Sequence, residues 1–363
     1  MVVKVSKPEL NLREKISELD KPSGVAGEAM LRAETPQEQF NLIGAGRRNV
    51  FINGDFSVAQ RGAGPTTGIS GYPTVDRWII PLSGETTQQL ANDRVSTPSK
   101  MLKVTAATTG YGIIRQMVED VSTLSGGYAT LSFWAKTSTA DAFRVEFQQL
   151  FGTGGSGTVS IIDDADYWKV PNAEWNFYSI TVYLPSTLGK TVGTGSPGLS
   201  VLFGPTGGQP NGNIVYYSEV QLEAGKVATP FEHRSYGEEL ALCERYYQKS
   251  YDKDAYITGS TSLSSIGSVD HYGSSDATNV LAQVYFRTQM RDAPTVTTYD
   301  PNTSNGGNAH SGRAYINSNS GAASYDTTTN NIGTTGFRSY VPKNGAAWAA
   351  HRLIFQWQAV AEL

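Results

Sequence analysis

The chain has 363 residues, 39% hydrophobic and only 17% charged, with 38 Gly and 19 Tyr and a formal net charge of −4. That balance gives no general attraction to nucleic acid or anionic lipid, and no apolar run approaches the roughly 18 residues of a membrane helix. The single cysteine, Cys243, excludes an intrachain disulfide and a cysteine zinc site, and Met1 to Glu9 lead into no signal-peptide-like apolar run.

Residues 1–47 read as an arm rather than a domain. Asn11 can cap a short helix in which Leu12, Ile16 and Leu19 recur at helical spacing. Thr35-Pro36-Gln37-Glu38 is a capping box opening a second short helix, which contains Phe40 and ends at Gly44. Single narrow apolar stripes cannot bury a core. Leu12, Ile16, Leu19 and Phe40 are therefore expected to dock on another protein, the alternative being packing on the chain's own β domain.

From Arg48 to about Arg234 the pattern is β. Tyr128 to Lys136 alternates, with Ala129, Leu131, Phe133 and Ala135 on one face and Tyr128, Thr130, Ser132, Trp134 and Lys136 on the other. Ala142 to Gln149 repeats this with Phe143, Val145 and Phe147 inward and Arg144, Glu146 and Gln148 outward, and Tyr178, Ile180, Val182 and Leu184 continue the inward set. Such period-2 runs between Gly-, Ser- and Asn-rich turns predict antiparallel sheets packed face to face.

Ser235-Tyr236-Gly237-Glu238 is a third helix start, predicting a helix through about Lys249 with Leu240, Cys243, Tyr246 and Tyr247 near one face. It marks the clearest boundary in the chain. The close run Tyr246, Tyr247 and Tyr251 places this helix at a threefold axis or at the seam between two β domains. Beyond it, Asn279 to Thr288, Thr295 to Tyr299 and His351 to Leu363 read as strands. The polar stretch Asn302 to Thr335 reads as long loops or short hairpins. The fold expected is mainly β, with bounds of 1–47 for the arm, 48–235 for a jelly roll, 236–251 for a linking helix and 252–363 for a C-terminal β tip.

Chemistry-bearing motifs are few. Gly152-Thr153-Gly154-Gly155-Ser156-Gly157 has the dinucleotide fingerprint spacing, but the strand-like Thr158 to Ile162 follows where a helix must open, so it reads as a flexible loop. Asp163-Asp164-Ala165-Asp166 reads as a solvated turn, with a structural calcium as the less favoured option. No other cofactor is called for. The four histidines are scattered, and no nucleophile elbow or carboxylate pair stands out, so no catalytic residue is assigned. Tyr128, Trp134, Arg144, Glu146 and Gln148 are read as one outward face, which suits sugar because pyranose C–H faces stack on rings while hydroxyls bond polar side chains. Packing of these residues on an arm, loop or neighbouring subunit is the competing reading. Tyr299, His310, Arg313, Tyr315 and Tyr325, in or beside the polar stretch, supply rings and charge of the kind recognition loops use.

Several phrases carry a resemblance: Gly46-Arg47-Arg48-Asn49 with Ile52 to Gly62, Asp76-Arg77-Trp78, Leu131 to Lys136, Val220 to Gly225 running into Thr229-Pro230-Phe231-Glu232, and Leu240 to Tyr247. Residues 47–251 thereby resemble the sandwich of tail fibre and related virion proteins of tailed bacteriophages, particularly those of marine bacteria and cyanobacteria. The sandwich is itself similar to cellulose- and xylan-binding modules. Those modules often end in an Asp-x-Val-x-Leu strand whose Asp holds calcium; here Ser218 stands in that place with Glu219 beside it. The resemblance implies a virion component, commonly a homotrimer, attached by its N-terminus to other tail proteins and binding host-surface glycan. A polysaccharide depolymerase and a ligand-free head decoration protein are the alternatives.

Overall fold

The computed structural model describes residues 47–363 except 68–69, 82–84, 95–99, 107–111, 140, 171–173, 206–211, 252–268, 273–278, 301–309, 319–320 and 343–350. The expected arm, with Leu12, Ile16, Leu19 and Phe40, lies outside the described residues. The first ten strands are β1 (Thr66–Thr67), β2 (Thr86–Ala91), β3 (Lys100–Thr105), β4 (Ile114–Glu119), β5 (Gly127–Thr137), β6 (Asp141–Leu150), β7 (Val159–Val170), β8 (Asn176–Leu184), β9 (Gly198–Pro205) and β10 (Ile214–Ala224). They form a six-stranded sheet in the order β1-β2-β3-β10-β5-β8 and a four-stranded sheet in the order β4-β9-β6-β7. All pairings are antiparallel, and the two sheets make a jelly-roll β-sandwich.

The period-2 patterns direct the packing. Ala129, Leu131, Phe133 and Ala135 of β5 and Phe143, Val145 and Phe147 of β6 meet in one buried cluster with Ile180, Val182 and Leu184 of β8. Phe133 stacks near Phe203 at 4.7 Å and Tyr178 at 5.5 Å between ring centroids. Burying a ring of this size is worth roughly 2–3 kcal/mol, so these columns dominate the stability of the sandwich.

The family-like phrases build the closure of this core. Asn53 takes a left-handed backbone (φ 60°). Its side chain donates to the carbonyls of Val58 and Asp76 (both 2.8 Å) and accepts from the Val58 N–H (2.9 Å). Trp78, fully buried against Phe51 and Phe56, donates its indole N–H to the Asn53 carbonyl (2.7 Å). A side chain at Gly54 would run into the Val220 carbonyl oxygen, so only glycine lets the turn lie against β10.

The helix α1 (Tyr236–Glu244) starts where its capping box predicts, with Ser235 Oγ accepting from the Glu238 N–H at 3.3 Å. It ends five residues short of the expected Lys249. Tyr247–Lys249 instead forms strand β11, buried and paired with the last strand. Aromatic side chains favour the extended form once a sheet edge is there to receive them, and the tertiary pairing overrides the helical spacing.

The remaining strands are β12 (Val269–Tyr272), β13 (Asn279–Tyr285), β14 (Thr295–Asp300), β15 (His310–Ser311), β16 (Arg313–Ser318), β17 (Gly321–Asp326), β18 (Thr328–Gly333), β19 (Gly336–Pro342) and β20 (His351–Val360). β20 is central: β14 and β11 flank its C-terminal half, β16 and β12 its N-terminal half. This sheet faces the three-stranded sheet β13-β19-β18 across a second cluster containing Val284, Ile316, Phe337, Leu353, Phe355 and Trp357. Of the polar stretch 302–335, expected as loops or hairpins, residues 302–309 and 319–320 lie outside the described residues, and from Arg313 on it supplies the pairs β16–β17 and β18–β19, its threonines suiting half-buried strands.

Two other motifs differ from expectation. Asp163, Asp164 and Asp166 lie within β7 rather than in a turn; Asp163 is in register with Val145 of β6, and the residues that follow it fall where the register shifts before Trp168 meets Phe143. The glycine-rich run 152–157 is a loop, as expected, but one locked to residues 191–194. Thr153 exchanges both backbone hydrogen bonds with Thr194 (2.9 and 3.0 Å), and Gly193 N donates to Phe151 O (2.7 Å).

The two β units meet around the tyrosines that follow α1. The Arg77 guanidinium lies 3.4 Å from the Tyr246 ring centre and that of Arg61 3.8 Å from Tyr247. Both arginines grip the Glu362 carboxylate, Arg61 at 3.1 Å. The segment expected at a threefold axis or at the seam thus lies, within the chain, between the two β units.

Candidate functional site

The sandwich has two outer faces, and it splits the expected sugar-binding set between them. Tyr128 and Trp134 project from β5 on the six-stranded sheet, whereas Arg144 and Glu146 project from β6 on the four-stranded sheet. With Phe133 and Phe143 both pointing into the core, the outward sets of the two strands must lie on opposite sides. The single face expected from sequence is thereby corrected. On the four-stranded sheet, Glu146 accepts from Arg144 (2.5 Å) and from Gln148 (2.7 Å), a self-contained polar group without a ring among these three.

The six-stranded sheet gathers more. Register places Phe177 of β8 beside Trp134, and their ring centroids are 5.4 Å apart. The Arg94 guanidinium lies 4.2 Å from the Trp134 ring centre and pairs with Glu219. Next to this, the Lys136 ammonium sits between Trp175 (4.8 Å) and Tyr216 (4.9 Å) and binds Asp93 at 2.6 Å. The indole N–H of Trp175 donates to the other Asp93 oxygen at 2.8 Å. Slight burial works the other way, but the hydrogen bonds from Lys136 and Trp175 hold the Asp93 carboxyl below the usual range. Asn92 donates to Ser218 Oγ at 2.7 Å.

One end of the sheet face is thus a patch of four rings and fixed charges. Trp134 is half-buried, with a cation over it, and acts as support; Phe177, 48% exposed, presents the open ring. Phe177, Trp175 and Tyr216 were not singled out from sequence. The signal for Phe177 was present as the outward partner set of Tyr178, Ile180 and Val182.

The face is bounded rather than continuous. Residues 225–232 fold back across its middle: Thr130 Oγ1 donates to Gly225 O (2.7 Å), Glu223 accepts from Thr229 N and Oγ1 (2.8 and 2.6 Å), and Gln221 accepts from Glu232 N (2.8 Å). Beyond this strap lies a second aromatic pair, Tyr128 and Tyr183, at 5.4 Å, with Lys226 over Tyr128 at 4.4 Å.

In the C-terminal unit the structure places the other candidates on strands. Tyr299 of β14 accepts from Gln358 through its hydroxyl (2.8 Å), and burial pushes its phenol up. Arg313 of β16 pairs with Asp326 (3.3 Å) on the face that also carries Tyr315. Tyr325 turns to the opposite face and packs against the second core. His310 lies in β15, and its side chain is outside the described residues. Among the described residues no group of three or more His, Cys, Asp or Glu is placed to hold a metal ion. Ser218, in the place of the modules' calcium-binding Asp, is fully buried and receives the Asn92 hydrogen bond.

No family model and no curated protein matches the chain. Among solved structures it is similar to the CBM22-1 xylan-binding domain of Paenibacillus barcinonensis Xyn10C, with 12% identity, a TM-score of 0.31, and coverage of 47% of this chain and 94% of that one. It is also similar to the CBM61 module TmCBM61, solved with β-1,4-galactotriose, with 11% identity, a TM-score of 0.28, and coverage of 49% and 100%. The enzymatically active domain of bacteriophage CBA120 tailspike protein 4 gives 19% identity and a TM-score of 0.30, over 48% of this chain and 21% of that one. At these scores the similarities carry no argument about ligand or role.

Proposed function

We propose that this chain is a non-catalytic, glycan-binding component of a tailed-bacteriophage virion, a tail fibre or receptor-binding protein. In this reading residues 1–47 attach it to another virion protein, residues 48–235 form the sandwich, residues 236–251 lead across the seam, and residues 252–363 form the outer β unit. The virion assignment rests on the family-like phrases. Glycan binding rests on the patch at Trp134.

One observation carries the binding reading: an exposed ring, Phe177, is set among Trp134, Trp175 and Tyr216 with Asp93, Lys136, Arg94 and Glu219 fixed around it. Rings stack on the C–H faces of sugars while ordered charged and amide groups bond the hydroxyls. The order of these groups is already set by mutual hydrogen bonds, which lowers the cost of binding.

Affinity electrophoresis through gels containing bacterial surface polysaccharides tests this. At least one polysaccharide retards the wild-type chain, and Phe177→Ala with Trp175→Ala removes the retardation. Incubation with the same polysaccharide generates no new reducing ends. Sustained release of reducing ends replaces this reading with the depolymerase. Absence of retardation across the panel favours a decoration protein.

A further inference from the structure

Strand β10 breaks its own alternation beside the aromatic patch. Ser218 lies opposite Trp134 of β5 and Gln221 lies opposite Ser132, so Glu219 and Val220 together face the single residue Phe133. This is a β-bulge, one extra residue on one strand of an antiparallel pair. Tyr217, Val220 and Leu222 all pack in the core. Plain alternation from Tyr217 would turn residue 219 inward as well, and the bulge keeps its carboxylate out of the apolar cluster. Glu219 has a left-handed backbone there (φ 49°). A left-handed bulge position ordinarily takes glycine, and a side chain held in that conformation is strained, a condition that gathers at functional sites. The bulge is fixed from the chain beside it. The Val220 N–H donates to Gly54 O at 2.9 Å, and Asn49 Nδ2 donates to Val220 O at 3.0 Å.

The strained residue holds an arginine against the patch. Its carboxylate pairs with the Arg94 guanidinium, which lies 4.2 Å from the Trp134 ring centre. Asn92 secures the same link from the main chain: its side-chain oxygen accepts from the Arg94 N–H at 3.0 Å, and its amide donates to Ser218 Oγ at 2.7 Å. Trp134 in turn flanks Phe177, with 5.4 Å between ring centroids.

We infer that Glu219 is a positioning residue for the binding patch, clamping Arg94 over Trp134 so that this ring is a fixed support for the open ring of Phe177. The inference rests on the proposed glycan reading and adds to it. A cation held over the indole restricts its rotation before any ligand arrives, which lowers the cost of ordering the patch on binding. The face of Trp134 under the guanidinium is closed to stacking, so a sugar is directed to Phe177. The bulge is then the device that brings a carboxylate to Arg94 from a strand whose alternation would otherwise bury it.

Fluorine NMR of the full chain labelled with fluorotryptophan tests the clamp without a glycan. The chain has six tryptophans, and the Trp134 resonance is the one missing from Trp134→Phe. Glu219→Gln and Glu219→Gly are each expected to move that resonance in the direction in which Arg94→Gln moves it. Affinity for the polysaccharide that retards the wild-type chain is expected to fall about threefold or more in both Glu219 variants, the effect of returning rotational freedom to a ring at the site. Glu219→Gly is expected to melt no lower than wild type, because glycine takes the left-handed backbone freely. A Trp134 resonance unmoved in both Glu219 variants overturns the inference. So does a Glu219→Gly chain that melts well below wild type and binds with unchanged affinity, which makes the ion pair structural. A chain whose Trp134 resonance responds but which no polysaccharide retards keeps the clamp and loses the glycan reading, so the two failures are told apart.

Discussion

Glu362 is the residue on which the seam between the β units turns. Its carboxylate is almost fully buried and takes both Arg61 and Arg77, each of which also covers a tyrosine ring. Removing one partner of a buried ion pair leaves the other charge desolvated without compensation, at a cost of about 3–5 kcal/mol. Glu362→Ala is therefore expected to destabilise the chain by at least about 3 kcal/mol, measured as a shift in the urea midpoint at unchanged slope. A loss below about 1 kcal/mol would show that water relieves the arginines. Asp76, in the same group, is fully buried. Burial is the largest influence and raises its carboxyl from 3.8 to about 6, against the pull of Arg61 and the Gln60 hydrogen bonds and with a further push from Glu362. A raised carboxyl binds its proton more tightly when folded, so its contribution is full below about pH 4 and is lost as pH rises through 6. Wild-type stability is expected to fall between pH 5 and 7 more steeply than that of Asp76→Asn. Asp93 and Asp120, both lowered, are already ionised in that window. Parallel pH profiles for the two proteins would count against Asp76 as the titrating group.

The elements differ in how they are encoded. Alternation at Tyr128 to Lys136 and Ala142 to Gln149 fixes both the strands and their buried faces, because a one-residue slip would expose every core side chain. The cap at Ser235 is equally local, and α1 begins there. Its end is not local: Tyr246 to Lys249 fit a helix by spacing, and only the arrival of β20, more than a hundred residues later, makes them a strand. Asp163 to Asp166 are similar: pairing of β6 with β7 on either side of them, at Asp163 and at Trp168, carries the strand through a turn-like composition, which shows only as a shift of register. The glycine-rich run shows the reverse case. Its glycines are a structural need, since a side chain at Gly193 would strike the Thr153 carbonyl oxygen and one at Gly155 the Phe151 carbonyl oxygen. Gly193→Ala is expected to cost about 2 kcal/mol and to speed amide exchange at Thr153 and Thr194, measured by hydrogen exchange. Exchange unchanged at both amides would mean that the two loops are not interlocked in solution.

At the scale of the whole molecule, the phrases that make the chain recognisable and the residues proposed to bind sugar are different sets. Asn53, Gly54, Asp76, Trp78 and Glu223 close the sandwich and hold its strap. Phe177 and Tyr216 lie on the outer face of the sheet, Phe177 exposed and Tyr216 half-buried, with the half-buried Trp175 just before β8 beside Tyr216. Sequence reasoning reached Trp134 because it sits in a clean alternation. It joined that residue to Arg144 and Glu146 because parity along a strand says which residues are outward but not which of two outer faces they occupy. The side chains that surround Trp134 come from four separate segments, residues 92–94, 136, 175–177 and 216–219, and only the pairing of β2, β3, β10, β5 and β8 in that order brings them together.

The central claim is that the patch around Phe177 binds polysaccharide. Titration calorimetry tests it most directly, using the polysaccharide that retards the wild-type chain and comparing it with Phe177→Ala. Loss of one stacking ring at about 1 kcal/mol or more corresponds to an affinity lower by about fivefold or more, with the melting temperature within a degree or two of wild type. Equal affinity in the two proteins, at equal stability, would contradict the claim and move recognition away from this face.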